Sequence, residues 1–200
     1  MKTNTIIILI LILFISCTKE RSLPVLNNYI DDYGVRKNYL INDYHFTTQL
    51  GKEFTVENTK NKVYIANFFV TNCSSICPPM REKLIDIATA VKNEKFILVS
   101  YTIDIKSDSI SVLNKYSEET SISKNKWFFL NGSPEELASI SKKFRTSFTK
   151  YQNSTDFYHS SNVALVDTKQ QIRGFYDLLN NEAVTLLKKD INLLLNEQLK

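Results

Sequence analysis

The amino-acid sequence predicts one α/β domain, a central mixed sheet flanked by helices and entered through an N-terminal β-hairpin. Two nearly continuous apolar runs, at 63–70 and 96–103, are rich in β-branched and aromatic residues, the pattern of strands buried on both faces. Between them Met80, Leu84, Ile87, Ala88 and Val91 recur at helical spacing, which makes a strand–helix–strand crossover. Size is the third observation: 200 residues, 43% hydrophobic and 12% aromatic, fill one sizeable core rather than two.

Taken in order, the chain opens with Lys2 and a run of ten apolar residues, 6–15. That is too short for a bilayer-spanning helix, which needs about 20 apolar residues, but it suits the h-region of a signal peptide. Leu13-Phe14-Ile15-Ser16-Cys17 resembles a bacterial lipobox, so residues 1–16 are expected to be a lipoprotein signal peptide and Cys17 the lipidated residue. The expected result is an exported protein, held on a membrane by its N-terminal lipid and facing the periplasm or the cell exterior, where thiols are not kept reduced by default. Residues 17–44 have no sustained period and read as a tether and irregular lead-in, and 45–200 form the domain.

The domain opens with the hairpin, where Phe46, Leu50, Phe54 and Val56 flank Gly51-Lys52. After the two central strands come a helix at 109–119, a strand at 127–130 and a helix at 134–144. Ser133 is placed to cap the last of these, with Glu136 completing a capping box. Strands at 162–166 and 172–176 flank a polar turn. An amphipathic helix carrying Val184, Leu187, Ile191, Leu194 and Leu195 on one face ends the chain.

Net charge is +4, but Lys and Arg are scattered among Asp and Glu with no basic run able to track a phosphate backbone, which argues against nucleic acid as a partner. Three cysteines are too few for a disulfide scaffold, and with two histidines any metal site must be small. Two of the cysteines stand together, in Thr71-Asn72-Cys73-Ser74-Ser75-Ile76-Cys77-Pro78-Pro79, where a core strand gives way to a helix. This is where α/β proteins place ligands. Pro78 biases Cys77 away from helical geometry, so the helix is expected to start near Pro79, with its N-terminus favouring thiolate at both sulfurs. Buried apolar cysteines or a permanent structural disulfide are the alternatives. A loop of Asn, Ser and Pro suits burial poorly, and so small a disulfide ring adds little stability, so redox or metal chemistry is the better reading.

The segment 68–78, an aromatic strand followed by Thr71-x-Cys73-x-x-x-Cys77-Pro78, resembles the signature of the SCO/SenC family, thioredoxin-like, membrane-tethered factors in the assembly of the copper centre of cytochrome oxidase. Residues 99–104 with Asp108, residues 158–167 around His159, and Ile172-Arg173-Gly174-Phe175-Tyr176 are similar to further segments of that family, and the resemblance runs from about His45 to the C-terminus. Tyr158 departs from it, since the family commonly has Asp before the His. The resemblance implies a thioredoxin-like fold and a copper metallochaperone in which Cys73, Cys77 and His159 hold Cu(I) or Cu(II) for a cytochrome oxidase subunit or another copper-receiving protein. Two soft thiolates and an imidazole suit that metal, and no fourth residue stands at a zinc-finger spacing.

An alternative is a thiol–disulfide reductase that keeps a partner's cysteines reduced, with Cys73 and Cys77 as a redox-active pair. A peroxiredoxin fits poorly, because no proline precedes Cys73 between Asn67 and Asn72. Asp104 and Asp108 are secondary candidates, for the site or for partner recognition, although capping and solvating the loop before the next helix explains them as well. His45 reads as a surface or hairpin residue.

Overall fold

The computed structural model describes residues 22–150 and 157–197. The expected signal peptide and Cys17 lie outside them. The lead-in is more ordered than its composition suggests. Strands β1 (Asn28–Ile30) and β2 (Arg36–Asn38) pair as an antiparallel ribbon, and Leu23 and Ile41 on either side of it are buried in the core. Asn27, also buried, accepts the Ile172 N–H through its side chain at 2.9 Å, and the Leu26 N–H donates to the Ile172 carbonyl at 2.8 Å.

The expected hairpin follows as β3 (Phe46–Thr48) and β4 (Glu53–Phe54), turning at Gly51 with φ 71°, a conformation suited to glycine. A single helical turn, α1 (Val56–Thr59), leads into β5 (Val63–Phe69), buried at every position. Helix α2 (Cys77–Ala90) crosses to β6 (Phe96–Thr102), and α3 (Ile110–Glu118), capped by the Ser109 hydroxyl, crosses to β7 (Trp127–Asn131). Helix α4 (Pro134–Lys143) begins in the predicted capping box of Ser133 and Glu136.

A short ribbon of β8 (Phe148–Lys150) and β9 (Phe157–His159), with no counterpart in the sequence pattern, precedes β10 (Asn162–Val166) and β11 (Ile172–Asp177). Helix α5 (Asn181–Glu197) closes the described chain, its apolar face buried as the periodicity predicts. No helix among the described residues is long and apolar enough to cross a membrane.

The main sheet has seven strands in the order β11-β10-β5-β6-β7-β3-β4. Strands β5, β6 and β7 are parallel, and the outer pairings are antiparallel, which gives the mixed sheet expected. Polar residues inside these apolar strands satisfy one another: Trp127 Nε1 donates to Ser100 Oγ at 2.8 Å, and that hydroxyl donates to Asn67 Oδ1 at 2.6 Å. Gln49, just past β3, takes over the ladder on β7, donating to the Trp127 carbonyl and accepting the Phe129 N–H.

The topology sets the ends of the sheet apart. The parallel strands finish at one end, and β10, running against β5 with Ala164 opposite Ala66 and Val166 opposite Tyr64, begins at that same end. The loop after β5 and the residues before β10 therefore meet there, while the lead-in docks at the other end, with the Ile41 N–H on the Gln170 carbonyl.

Candidate metal centre

Beyond β5, Val70 is still buried, and Thr71 turns the chain into the cysteine loop under the hold of Asp108. The Asp108 carboxylate, 1% exposed, accepts the Thr71 N–H at 3.1 Å and the hydroxyls of Thr71 and Thr102. The loop carrying Asp108 is itself held by the Asn131 amide, which donates to the carbonyls of Ile105 and Asp108. Asp108 thus ties the root of the cysteine loop to the end of β6, and its charge is felt at Cys77, where it adds to the rise of the thiol's pKa. Asp104 caps locally, accepting the Ser107 N–H at 3.3 Å.

The helix start differs from expectation. Helix α2 begins at Cys77, with Ile76 as its N-cap and the prolines in the first turn. The first four N–H groups of a helix have no intrahelical acceptor, so Pro78 and Pro79 forfeit nothing there, and the Met80 N–H opens the ladder on the Ile76 carbonyl at 3.2 Å. The unused Cys77 N–H points back to Cys73 Sγ at 3.4 Å. Cys77 is consequently buried at 4% exposure, and Cys73 sits partly exposed at the rim. Both thiols are free.

His159, at the end of β9 and 3% exposed, places Nε2 3.1 Å from Cys77 Sγ and Nδ1 3.1 Å from the Ser160 carbonyl oxygen. A carbonyl only accepts, so the ring proton belongs on Nδ1, and the Nε2 lone pair faces the Cys77 thiol. The donor atoms of Cys73, Cys77 and His159 all lie within 4.8 Å of one another. Among the described residues this is the one group of three or more such side chains able to hold a metal ion. It borders a cleft of about 420 Å³ whose other walls include Asn72, Ser74, Ser75, Phe157, Ser160 and Leu179.

The two thiols are unequal. Burial pushes Cys77 up to about 12, and its proximity to Cys73 adds to the effect, so the expectation of two helix-stabilised thiolates fails for Cys77. For Cys73 burial acts in the same sense but is outweighed by the neighbouring Cys77 side chain and by hydrogen bonds from the backbone N–H groups of Cys77 and Ser75 and from the Ser75 hydroxyl, which hold it below its ordinary value. Burial lowers His159, against the Ser160 carbonyl, and favours the neutral ring. His45 lies elsewhere, on the surface, paired with Glu53 at 2.8 Å and Glu136 at 3.6 Å.

A parallel-centred α/β domain with paired cysteines at the carboxyl end of a core strand, and a histidine brought beside them, defines a thioredoxin-like protein with a thiolate-imidazole site. The SCO1/SenC family model matches residues 34–193, and the chain belongs to that family. A SCO1/SenC family lipoprotein from Bacillus anthracis superposes with a TM-score of 0.69 at 28% identity, over 76% of this chain and 92% of that one. BsSco, a member of the Sco family of cytochrome c oxidase assembly proteins in which a disulfide switch has been identified, gives 0.67 at 28%, over 78% and 92%. ScoI of Arabidopsis thaliana with copper bound gives 0.63 at 25%, over 74% and 96%.

Asp108→Ala leaves the Thr71 N–H and two hydroxyls without their acceptor and is expected to cost roughly 3 kcal/mol in urea unfolding, with faster alkylation of Cys77 as the loop loosens. The site also sets the pH dependence of stability. A His159 held below its ordinary 6.5 makes the unfolded chain the better proton binder, so stability falls as pH drops through 6.5. A Cys77 raised from 9.0 to about 12 keeps its proton longer in the fold, so stability present below pH 9 is lost as pH rises beyond it. Urea midpoints across this range, compared with His159→Gln and Cys77→Ser, test each limb; unchanged slopes would contradict the assignment.

Proposed function

We propose that Cys73, Cys77 and His159 hold a copper ion, and that the protein, anchored to a membrane through a lipid on Cys17, supplies it to the copper centre of cytochrome c oxidase. The observation that carries the reading is the convergence of two sulfurs and an imidazole nitrogen within 4.8 Å. First-row ions take thiolate and imidazole bonds of about 2.3 and 2.0 Å, so three donors around one ion stand roughly 4 Å apart. The donor atoms all lie within 4.8 Å of one another, and the 3.1 Å Cys77–His159 contact must open to admit an ion. Sulfur-rich, low-coordinate sets select Cu(I), and an added oxygen ligand accommodates Cu(II). The copper-bound Arabidopsis relative and the lipoprotein from Bacillus anthracis support the cargo and the anchor respectively.

The residues divide the work. Cys73, at the rim with a lowered pKa, offers the first thiolate. Cys77 must give up its proton to become a ligand, and in doing so it frees His159 Nε2 from the S–H contact. Uptake therefore releases protons and tightens as pH rises, and protonation of Cys77 favours release to a receiving site.

The inequality of the thiols supports a second reading, in which the pair reduces a partner disulfide. Cys73 thiolate attacks one partner sulfur and expels the other as thiolate. Cys77, once deprotonated, then attacks Cys73 Sγ and releases the second partner thiol, so two electrons pass to the partner and a Cys73–Cys77 disulfide remains. Anaerobic Cu(I) titration of the reduced protein against a competing chelator separates the two. One equivalent is expected to bind at neutral pH, more tightly as pH rises, and His159→Ala to weaken it by at least about tenfold. Undiminished binding by His159→Ala, with disulfide reduction intact in the same variant, would leave the dithiol reading in its place.

A further inference from the structure

Half of the large hydrophobic side chains exposed on the described residues fall between Tyr29 and Leu40, on and beside the β1–β2 ribbon. Tyr33 is 90% exposed, Ile30 67%, Val35 53% and Tyr29 49%. They are held in place by an ordered turn: the Asp31 carboxylate accepts the N–H groups of Tyr33 and Val35 at 3.0 and 2.9 Å, and Gly34 takes φ 77° between them. Asp31 is also paired with Lys37 at 2.7 Å, and Asp32 and Arg36 are of opposite sign, so the tip carries an apolar surface with balanced charge. An exposed apolar cluster on an ordered projection marks a contact surface.

The chain's own course says what covers it. Leu23 is buried and its carbonyl accepts from Arg173, close to the Leu26–Ile172 bond, so the polypeptide enters the domain at the end of the sheet opposite the Cys73, Cys77 and His159 group. Only about six residues separate Cys17 from Leu23, a reach of roughly 20 Å at full extension. Resting on the lipid-anchor reading, this keeps the entry end of the domain beside the bilayer, and the ribbon begins a few residues further on. Tyrosine with neighbouring aliphatic side chains is suited to the headgroup boundary, where one end of the ring is apolar and the other wet.

We propose that the tip of the β1–β2 ribbon, through Tyr29, Ile30, Tyr33 and Val35, inserts into the lipid headgroup boundary and seats the domain on the membrane with its cysteine–histidine end turned away. The test uses the full lipidated chain reconstituted in phosphatidylcholine vesicles with brominated acyl chains. An indole reporter is placed on the ribbon by Tyr33→Trp and, in a separate variant, at the cysteine–histidine end by Leu179→Trp; Trp127, only 2% exposed, supplies a constant background. Emission of the Tyr33→Trp variant is expected to shift to shorter wavelength and be quenched by bromine, and that of the Leu179→Trp variant to stay as it is without vesicles. Flotation of the vesicles, with and without Cys17→Ser, reports the anchor separately. Flotation with the ribbon reporter unquenched, or with the reporter at the cysteine–histidine end quenched equally, overturns the ribbon contact and leaves the anchor standing. Quenching of the ribbon reporter in a chain whose flotation is indifferent to Cys17→Ser upholds the contact and removes the anchor. Neither flotation nor quenching overturns both.

Discussion

The pairing of β5 on both of its edges is the constraint on which the rest of the molecule depends. Every side chain of this strand is buried, so every backbone polar group needs a partner within the sheet. Strand β6 supplies one edge in a parallel register from Val63–Phe96 to Phe69–Thr102, and β10 supplies the other in the antiparallel sense. Parallel pairing on one side sends the chain across α2, which puts the cysteine loop at the carboxyl end of the strand. Antiparallel pairing on the other side makes β10 begin at that end, which delivers His159 to the cysteines across 82 positions. A slip of one residue in β10 would reverse the faces of its side chains and withdraw the histidine.

Magnitudes explain why the two cysteines of one loop differ. A helix N-terminus stabilises a negative charge by about 0.3–1 kcal/mol, up to about 2 in favourable, partly buried geometries. Raising Cys77 from 9.0 to about 12 corresponds to about 4 kcal/mol against its thiolate, so desolvation prevails at the first residue of α2. Cys73 escapes most of that burial and collects the hydrogen bonds that the loop and the helix start direct at it. The proline pair contributes indirectly: by tolerating a helix that starts at Cys77, it draws that sulfur under the loop.

Periodicity made the main elements legible, because the strands of the sheet and the faces of α2, α4 and α5 each repeat an apolar pattern. The cysteine loop and His159 were legible through their joint resemblance to a family signature. What escaped the sequence is carried by single polar residues and isolated apolar ones. Leu23 and Ile41 have no period, and Asn27, a residue usually at the surface, is buried to serve the Ile172 N–H. The β8–β9 ribbon is three residues a side and has too little pattern to announce itself. Asp108 stands within reach of a helix cap by sequence, and only the fold brings Thr71 and Thr102 to its carboxylate. Thr71, two residues before Cys73, was the one sign that the loop's root needed an acceptor.

Accessibility then orders any exchange at the site. Cys77 and His159 lie under 5% exposure; Cys73 and His159 both line the cleft, and Cys73 is the most exposed of the three. The polar walls there include Asn72, Ser74, Ser75 and Ser160, and among the described residues that line the cleft none is a carboxylate that would compete for an ion. In the proposed exchange, a ligand arriving from a partner would meet Cys73 first, while Cys77 and His159 would hold the ion from below. Release would require Cys77 to take back a proton, whose S–H would then face the His159 Nε2 lone pair as in the 3.1 Å contact seen here. Burial, which holds Cys77 well above its ordinary value, favours that proton uptake, so the thiol paired with His159 is a satisfied resting state and no buried thiolate is left without a partner.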